Sequence, residues 1–204
     1  MNIKSFTFNP FQENTYIVYD ETKECLIIDS GCYTDAERKE LKTFIEEKGL
    51  TPVKLINTHC HIDHVLGNKF ASEQWNIQLY MHKEDLPVLE KVGDISKMYG
   101  IEDYESSPYP KHFLAQGDTL TFGESSFEVL FTPGHAPGHI CLYSKENNLL
   151  IAGDVIFQGS IGRTDFPGGD HSTLINSIIT QLFPLPNETQ VFCGHGPSTN
   201  LGYE

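Results

Sequence analysis

Thr58-His59-Cys60-His61-Ile62-Asp63-His64 holds three histidines and an aspartate in one short segment, an HxHxDH cluster. An apolar, β-branched run at 53–56 precedes it and reads as a strand. The same arrangement recurs down the chain. Residues 127–131 lead to Thr132-Pro133-Gly134-His135, residues 149–151 to Ala152-Gly153-Asp154, and residues 191–192 to Cys193-Gly194-His195-Gly196. Strands that end at one edge of a sheet deliver their following loops to one place. His59, His61, Asp63, His64, His135, Asp154 and His195 therefore read as one constellation, imidazoles and carboxylates gathered around metal ions. A zinc site that only holds a fold favours cysteines and is closed, whereas an all-His/Asp set keeps a position open for chemistry.

A chain of 204 residues suits one domain, spanning 1–204, with room for a substantial core. Apolar residues make up 39% and charged ones 21%, which is ordinary for a globular protein in water. The net charge of -14 argues against nucleic acid and membrane surfaces as partners, because both need clustered Lys and Arg. It also means that an anionic small molecule needs a local positive site. Met1-Asn2-Ile3-Lys4-Ser5-Phe6 opens without a signal-peptide pattern, and no apolar run reaches membrane-spanning length, so a cytoplasmic protein is expected. The cysteines (Cys25, Cys32, Cys60, Cys141, Cys193) are odd in number and fit no CxxC spacing, so free thiols are expected. Cys60 lies between two histidines and in an extended segment points away from them. It reads as a small core residue, as does Cys193. The oligomeric state is not readable from the sequence.

Strands are expected at 15–19 and 25–29, with a polar turn between them. Asp35–Lys48 reads as a helix with Leu41, Phe44 and Ile45 on its apolar face, Thr34 as N-cap and Gly49 as stop. A strand at 53–57 follows, then a helix from about His64 through Trp75. Residues 83–92 are helix-like, and the stretch to about Pro110 is loop-rich. The β pattern returns at Thr119–Phe122, 127–131, 140–143 and 149–151. A glycine-rich loop spans 159–169, an amphipathic helix 171–183 and a last strand 191–193. Helices come after groups of strands. The pattern predicts an α+β arrangement of two sheets stacked face to face with helices outside.

On a loop, His59 and His61 can converge on one ion while Asp63 and His64 turn toward a neighbouring one. Two cations roughly 3.5–4 Å apart need an anion between them. Asp154 is the carboxylate free to bridge, and His135 and His195 complete one site each. Two divalent cations outweigh Asp63, Asp154 and a bridging hydroxide, because histidines bind neutral. Such a centre attracts an anionic or carbonyl substrate and acidifies bound water.

These residues resemble the metallo-β-lactamase superfamily over nearly the whole chain. The resemblance implies an αββα sandwich, two mixed β-sheets with helices on the outer faces and the metals at one edge. It also implies two divalent metal ions as cofactors, zinc first, with iron or a mixture as alternatives. Asp29, in Ile27-Ile28-Asp29-Ser30-Gly31, is similar to the family's early aspartate, which orients a ligand loop; its plainer reading is a turn-opening residue. Within the superfamily, Thr132-Pro133-Gly134-His135-Ala136-Pro137-Gly138-His139 and Gly159-Ser160-Ile161-Gly162-Arg163-Thr164-Asp165-Phe166-Pro167-Gly168-Gly169-Asp170 resemble glyoxalase II, the hydroxyacylglutathione hydrolases, in their short one-domain bacterial branch. The implied activity is hydrolysis of a small-molecule thioester by a metal-bound hydroxide, with Asp63 and Asp154 taking part in catalysis as well as binding metal. The longer enzymes carry a C-terminal helical domain with many glutathione contacts. Little sequence follows His195 here, so weak glutathione affinity is expected.

Arg163 is one of two arginines in the chain and sits just beyond Asp154. Two readings stay open. It clamps a substrate carboxylate, as the basic residue at this place does in glyoxalase II, or it pairs at the surface with Asp165 or Asp170. His139 reads either as support for a ligand or as packing, His82 as a helix-start residue, His112 as a surface-loop residue and His171 as part of a helix cap. The rival reading is a persulfide dioxygenase of the same fold, using one iron on His59, His135 and Asp154. A second rival is a module that holds metal without turnover. A β-lactamase is disfavoured because no export signal is seen, and an RNA nuclease because of the acidic surface.

Overall fold

A computed structural model of the chain describes residues 1–101 and 103–204. The first sheet runs in the order β1 (Asn2–Phe8), β2 (Glu13–Tyr19), β3 (Glu24–Ile28), β4 (Thr51–Ile56), β5 (Leu79–Met81) and β6 (His112–Phe113). β1 to β3 are antiparallel, and β3 to β6 are parallel. In β2 and β3, alternate side chains serve two cores. Ile17, Cys25 and Ile27 join the one under the helices, and Tyr16, Val18, Leu26 and Ile28 join the one between the sheets. A strand buried on both faces must lie between two layers.

Helices α1 (Asp35–Lys48), α2 (Ile62–Val65), α3 (Asn68–Trp75) and α4 (Leu86–Met98) follow this sheet, and Leu41, Ile45, Ala71, Leu89 and Val92 cover its outer face. α1 begins with a complete capping box of Thr34 and Glu37 and stops at Gly49. The second sheet contains β7 (Thr119–Phe122), β8 (Ser125–Phe131), β9 (Ile140–Ser144) and β10 (Leu149–Gly153). After a small hairpin of β11 (Ile156–Phe157) and β12 (Ser160–Ile161) and helix α5 (His171–Ser177), β13 (Gln190–Cys193) and β14 (Thr199–Asn200) complete it. Its order is β14-β13-β10-β9-β8-β7. Ile56, Phe127, Val129, Leu142 and Ile151 pack between the sheets, while Leu174, Ile178 and Leu182 cover the second sheet from outside. The result is the expected helix–sheet–sheet–helix sandwich.

Several expectations need correction. β1 escaped the sequence reading because an edge strand buries few residues, here Phe6 and Phe8. The helix expected from His64 begins at Ile62 and breaks after Val65, where Gly67 lies so close to Ser30 and Cys32 that no side chain would fit. The segment expected to be helical over 83–92 is a short turn (Lys83–Asp85) followed by α4, which runs on to Met98 through Gly93. The expected loop up to Pro110 includes residue 102, which lies outside the described residues. The helix over 171–183 changes from α to π geometry at Ile178. His112 is exposed but sits on β6, its ring stacked on Tyr80 at 4.3 Å. Among the described residues no helix is long and apolar enough to cross a membrane. All five cysteines are buried and free.

Strands β3, β4, β8, β10 and β13 all hand over to the loops that carry the sequence-predicted residues. Asp29 follows β3, the HxHxDH segment β4, His135 β8, Asp154 β10 and His195 β13.

Candidate metal centre

Each loop is fastened before it reaches the centre. Asp29 leaves β3 at φ 51°, a left-handed conformation that aspartate tolerates. Its Oδ1 accepts the Thr58 N–H at 2.8 Å and its Oδ2 accepts the Thr58 hydroxyl at 2.7 Å. Thr58 Oγ1 has then spent its proton, so at 3.2 Å it accepts from His59 Nδ1. Asp29 Oδ2 also lies 3.2 Å from His64 Nδ1. His135 Nδ1 donates to the Arg163 carbonyl at 2.7 Å, and His195 Nδ1 to the Gln12 carbonyl at 3.2 Å. Three imidazoles are thus held through Nδ1, and Asp29 faces the Nδ1 of His64, so all four turn Nε2 toward the centre.

Those nitrogens converge. His59, His61 and His135 form one cluster, and Asp63, His64 and His195 a second. Asp154 groups with His59 and His64 between them, and ligand-type atoms within each group lie within 4.8 Å of one another. His61 Nδ1 is 2.9 Å from His135 Nε2, and His195 Nε2 is 3.0 Å from Asp63 Oδ2. Asp154 Oδ2 is 3.5 Å from His135 Nε2 and 3.5 Å from His195 Nε2, one histidine of each cluster. Its Oδ1 is 3.5 Å from His64 Nε2. His59 Nε2, His64 Nε2 and Asp154 Oδ1 are buried without a hydrogen bond. An orphaned buried polar atom costs about 1–3 kcal/mol. A set of them aimed at one another fits divalent transition ions, whose preferred donors are imidazole and carboxylate.

Electrostatics separate the clusters. Burial holds His59 well below the ordinary imidazole range, and His64 adds to the effect. Burial, with His135 second, pushes His61 down to about 3, and burial also lowers His135. These rings stay neutral, the form that binds metal. Burial acts in the same sense on His64 and His195 but is outweighed. Asp63 and Asp154 raise His64, and the hydrogen bond to Asp63 raises His195. Burial raises Asp63 and Asp154, yet His64 pulls each below the ordinary carboxylate range.

Two glycines are required by close approach. A Cβ on Gly194 would lie 2.0 Å from Asp154 Oδ1, and one on Gly162 1.9 Å from the Asp154 carbonyl. Only bare backbone fits on either side of Asp154.

Other residues of the site carried little signal in the sequence. His139 is fully buried, accepts the Asp154 N–H on Nε2 at 3.0 Å and faces Thr132 Oγ1 through Nδ1 at 3.1 Å. Of its two readings, support for the Asp154 loop is the one its contacts match. Glu13 is buried 4.0 Å from His64 Nδ1, where burial raises its carboxyl well above the ordinary range. Asn14 Nδ2 bonds the Cys193 and Gly196 carbonyls, tying β2 to the His195 loop. Asp85 is buried beneath two loops, and burial pushes its carboxyl up to about 6. Glu13 sits where β2 begins, two residues before the strand expected from the sequence, and Asp85 lay in what read as a charged helix start. Cys60 Sγ turns to Met81 Sδ at 3.7 Å, away from the histidines. His82 caps the turn before α4, while Asp170 rather than His171 caps α5.

Arg163 is exposed. Its Nε and Nη2 each meet Asp165 at 2.6 Å, and its guanidinium lies 4.0 Å from the centre of the Phe166 ring. Phe166 in turn packs edge-on to His61 at 5.1 Å, and Phe157 flanks His195 at 6.2 Å.

A fold of two stacked sheets with this donor set at the strand ends defines a class. The metallo-β-lactamase superfamily model matches residues 8–195, and the chain belongs to that superfamily. A "Probable metallo-hydrolase YqgX" of Bacillus subtilis is 38% identical over 98% of this chain and 93% of its own length. The "Hydroxyacylglutathione hydrolase GloC" of Haemophilus influenzae is 35% identical over 100% of this chain and 95% of its own. Among solved structures, a B3 metallo-β-lactamase, BLEG-1, superposes with a TM-score of 0.90 at 36% identity, covering 100% of this chain and 96% of that one. TTHA1623 in a di-iron-bound form superposes with a TM-score of 0.88 at 36% identity, covering 98% and 96%.

Proposed function

We propose that the protein is a binuclear metal-dependent thioesterase of the hydroxyacylglutathione hydrolase type. The observation that carries this is Asp154 Oδ2, 3.5 Å from a histidine of each cluster, where one carboxylate can serve two ions. His59, His61 and His135 would hold one ion, Asp63, His64 and His195 the other, and Asp154 both. When bound, the ions supply Lewis acidity and acidify water at the site; zinc is the first choice, with iron or a mixture as alternatives. The resemblance to the GloC hydrolase at 35% identity supports the thioester, and the di-iron form of TTHA1623 supports two ions.

The chain's own residues do the rest. Thr58 and the Arg163 and Gln12 carbonyls hold three rings through Nδ1, and Asp29 faces the Nδ1 of His64, so the rings need not reorient during turnover. Asp63, ionised beside His195, orients the attacking water. Phe166 walls the side of the site next to His61 and shelters an apolar part of the substrate. Arg163 takes a substrate carboxylate by exchanging it for Asp165. An exposed ion pair holds weakly, so the exchange costs little.

The test is three parallel assays on metal-loaded protein. Thiol release from S-D-lactoylglutathione without oxygen is the expected activity. Oxygen uptake with glutathione persulfide and negligible thiol release would establish a dioxygenase instead. Hydrolysis of a β-lactam with no thioesterase activity would move the chain to the chemistry named for BLEG-1.

A further inference from the structure

We infer that Asp85 is a positioning residue for the first cluster, its two carboxylate oxygens tying together the loops that bring His59, His61 and His135 to one point. The inference rests on the metal-binding reading above and is tested by metal retention, so loss of the thioesterase reading alone would leave it standing. Asp85 is fully buried at the head of α4. An aspartate there would ordinarily cap the helix, yet its side chain makes no bond to the first turn of α4. It reaches outward instead. Oδ2 accepts the N–H of Cys60, the residue between His59 and His61, and Oδ1 accepts the N–H of Gly138 at 2.8 Å.

Each bond fixes a ligand loop. The peptide between two histidines sets the direction of both, because residues on either side of it project to the same face. Holding Cys60 N–H turns His59 and His61 inward and Cys60 toward Met81. Gly138 stands three residues after His135 in the same loop, and a Cβ there would lie 2.3 Å from the Asp85 nitrogen. The two backbones therefore meet too closely for any side chain. Asp85 is itself fixed by its own N–H, which bonds the His82 carbonyl at 3.2 Å.

The second cluster has other supports. Asn9 Nδ2 holds the Asp63 carbonyl at 2.9 Å, Asn57 Nδ2 the His64 carbonyl at 3.0 Å, and Gln12 and Asp29 the rings of His195 and His64. Loss of Asp85 should therefore weaken one ion and spare the other, which general loosening of the fold would not do.

The experiment challenges zinc-loaded wild type and Asp85→Asn with a graded chelator and counts zinc per chain. The amide places an N–H donor against a backbone N–H and breaks one of the two ties. One zinc should leave Asp85→Asn at roughly tenfold or more lower chelator strength, with the other unchanged. Cobalt substitution identifies the ion lost, since a set of three histidines with Asp154 and a set of two histidines and Asp63 with Asp154 absorb differently. Asp85→Glu keeps both acceptors and should recover part of the loss. Equal weakening of both ions, or none, overturns the inference, as does a glutamate variant no better than the asparagine one. Should Asp85→Asn not fold, hydrogen exchange in wild type carries the test. The Cys60 and Gly138 amides should stay protected after the metal is stripped, and loss of protection at both overturns the inference.

Discussion

Asp29→Asn is the substitution whose consequence follows most directly from proton positions. Asp29 accepts from Thr58 N–H at 2.8 Å and Thr58 Oγ1 at 2.7 Å, and its Oδ2 faces His64 Nδ1 at 3.2 Å. Asparagine keeps one acceptor, which can stay on the Thr58 N–H. Its amide nitrogen then faces His64 Nδ1–H, donor against donor. His64 must either lose that partner or move its proton to Nε2, the atom turned toward Asp154. Backbone strain does not confuse the result, because asparagine tolerates the φ of 51° as well as aspartate does. The lost contact pairs a carboxylate with the His64 ring, and a hydrogen bond to a charged group, the upper bound for it, is worth about 1.5–3 kcal/mol. At about 1.4 kcal/mol per factor of ten, the ion on the His64 side should bind roughly ten- to a hundredfold more weakly. Zinc retention against a graded chelator measures this. Retention of both ions at wild-type strength would refute the assignment of the His64 proton and the role of Asp29.

Asp154→Asn removes the charge that faces both clusters, so both ions should be held more weakly and turnover should fall by orders of magnitude; full occupancy with normal activity would rule out a bridging role. Arg163→Ala should mainly raise KM for carboxylate-bearing thioesters, with a smaller effect on kcat, because it removes uniform binding. An unchanged KM for every such substrate would leave Arg163 as the partner of Asp165 alone. The metal-free protein should lose stability on acidification below about pH 6.5, the ordinary histidine value. His59, His61, His135 and His139 have lowered folded-state values, so the unfolded chain takes up protons that the folded one refuses. His64 and His195 are raised; their contribution is complete below the ordinary value and is lost only as the pH climbs through the folded one, so they act above this window, while the raised carboxyls of Glu13 and Asp85 oppose the trend within it. Each uncompensated histidine contributes a slope of about 1.4 kcal/mol per pH unit. Chemical denaturation of chelated protein across this range reads the slope, and stability that rises on acidification would refute the burial argument.

The ligand-type residues were legible because metal chemistry demands particular side chains at short spacings after strands, and a local pattern survives in sequence. HxHxDH after β4 is the clearest case. The two stacked sheets were legible for a related reason: short apolar runs such as 127–131 stand between turn residues, and the helices come after groups of them. What holds the centre was less visible. Asp29 was found through resemblance, but Asp85 and Asn14 act through backbone groups distant in the chain and Glu13 faces His64 from a distant strand, and nothing local marks them. β1 and β6 were missed because edge strands bury too little to show a period. Arg163 illustrates the remaining gap: its neighbour Asp165 was readable, but which partner its fork engages depends on loop geometry.

The central claim is that two ions, held by seven side chains with Asp154 shared, perform hydrolysis. Stepwise addition of zinc to chelated protein, following zinc bound per chain and thioester cleavage without oxygen in the same samples, tests it most directly. Two ions per chain should bind, and cleavage should approach its full rate only as the second is taken up. Saturation at one ion, or two ions bound with no thioester cleaved, would contradict it.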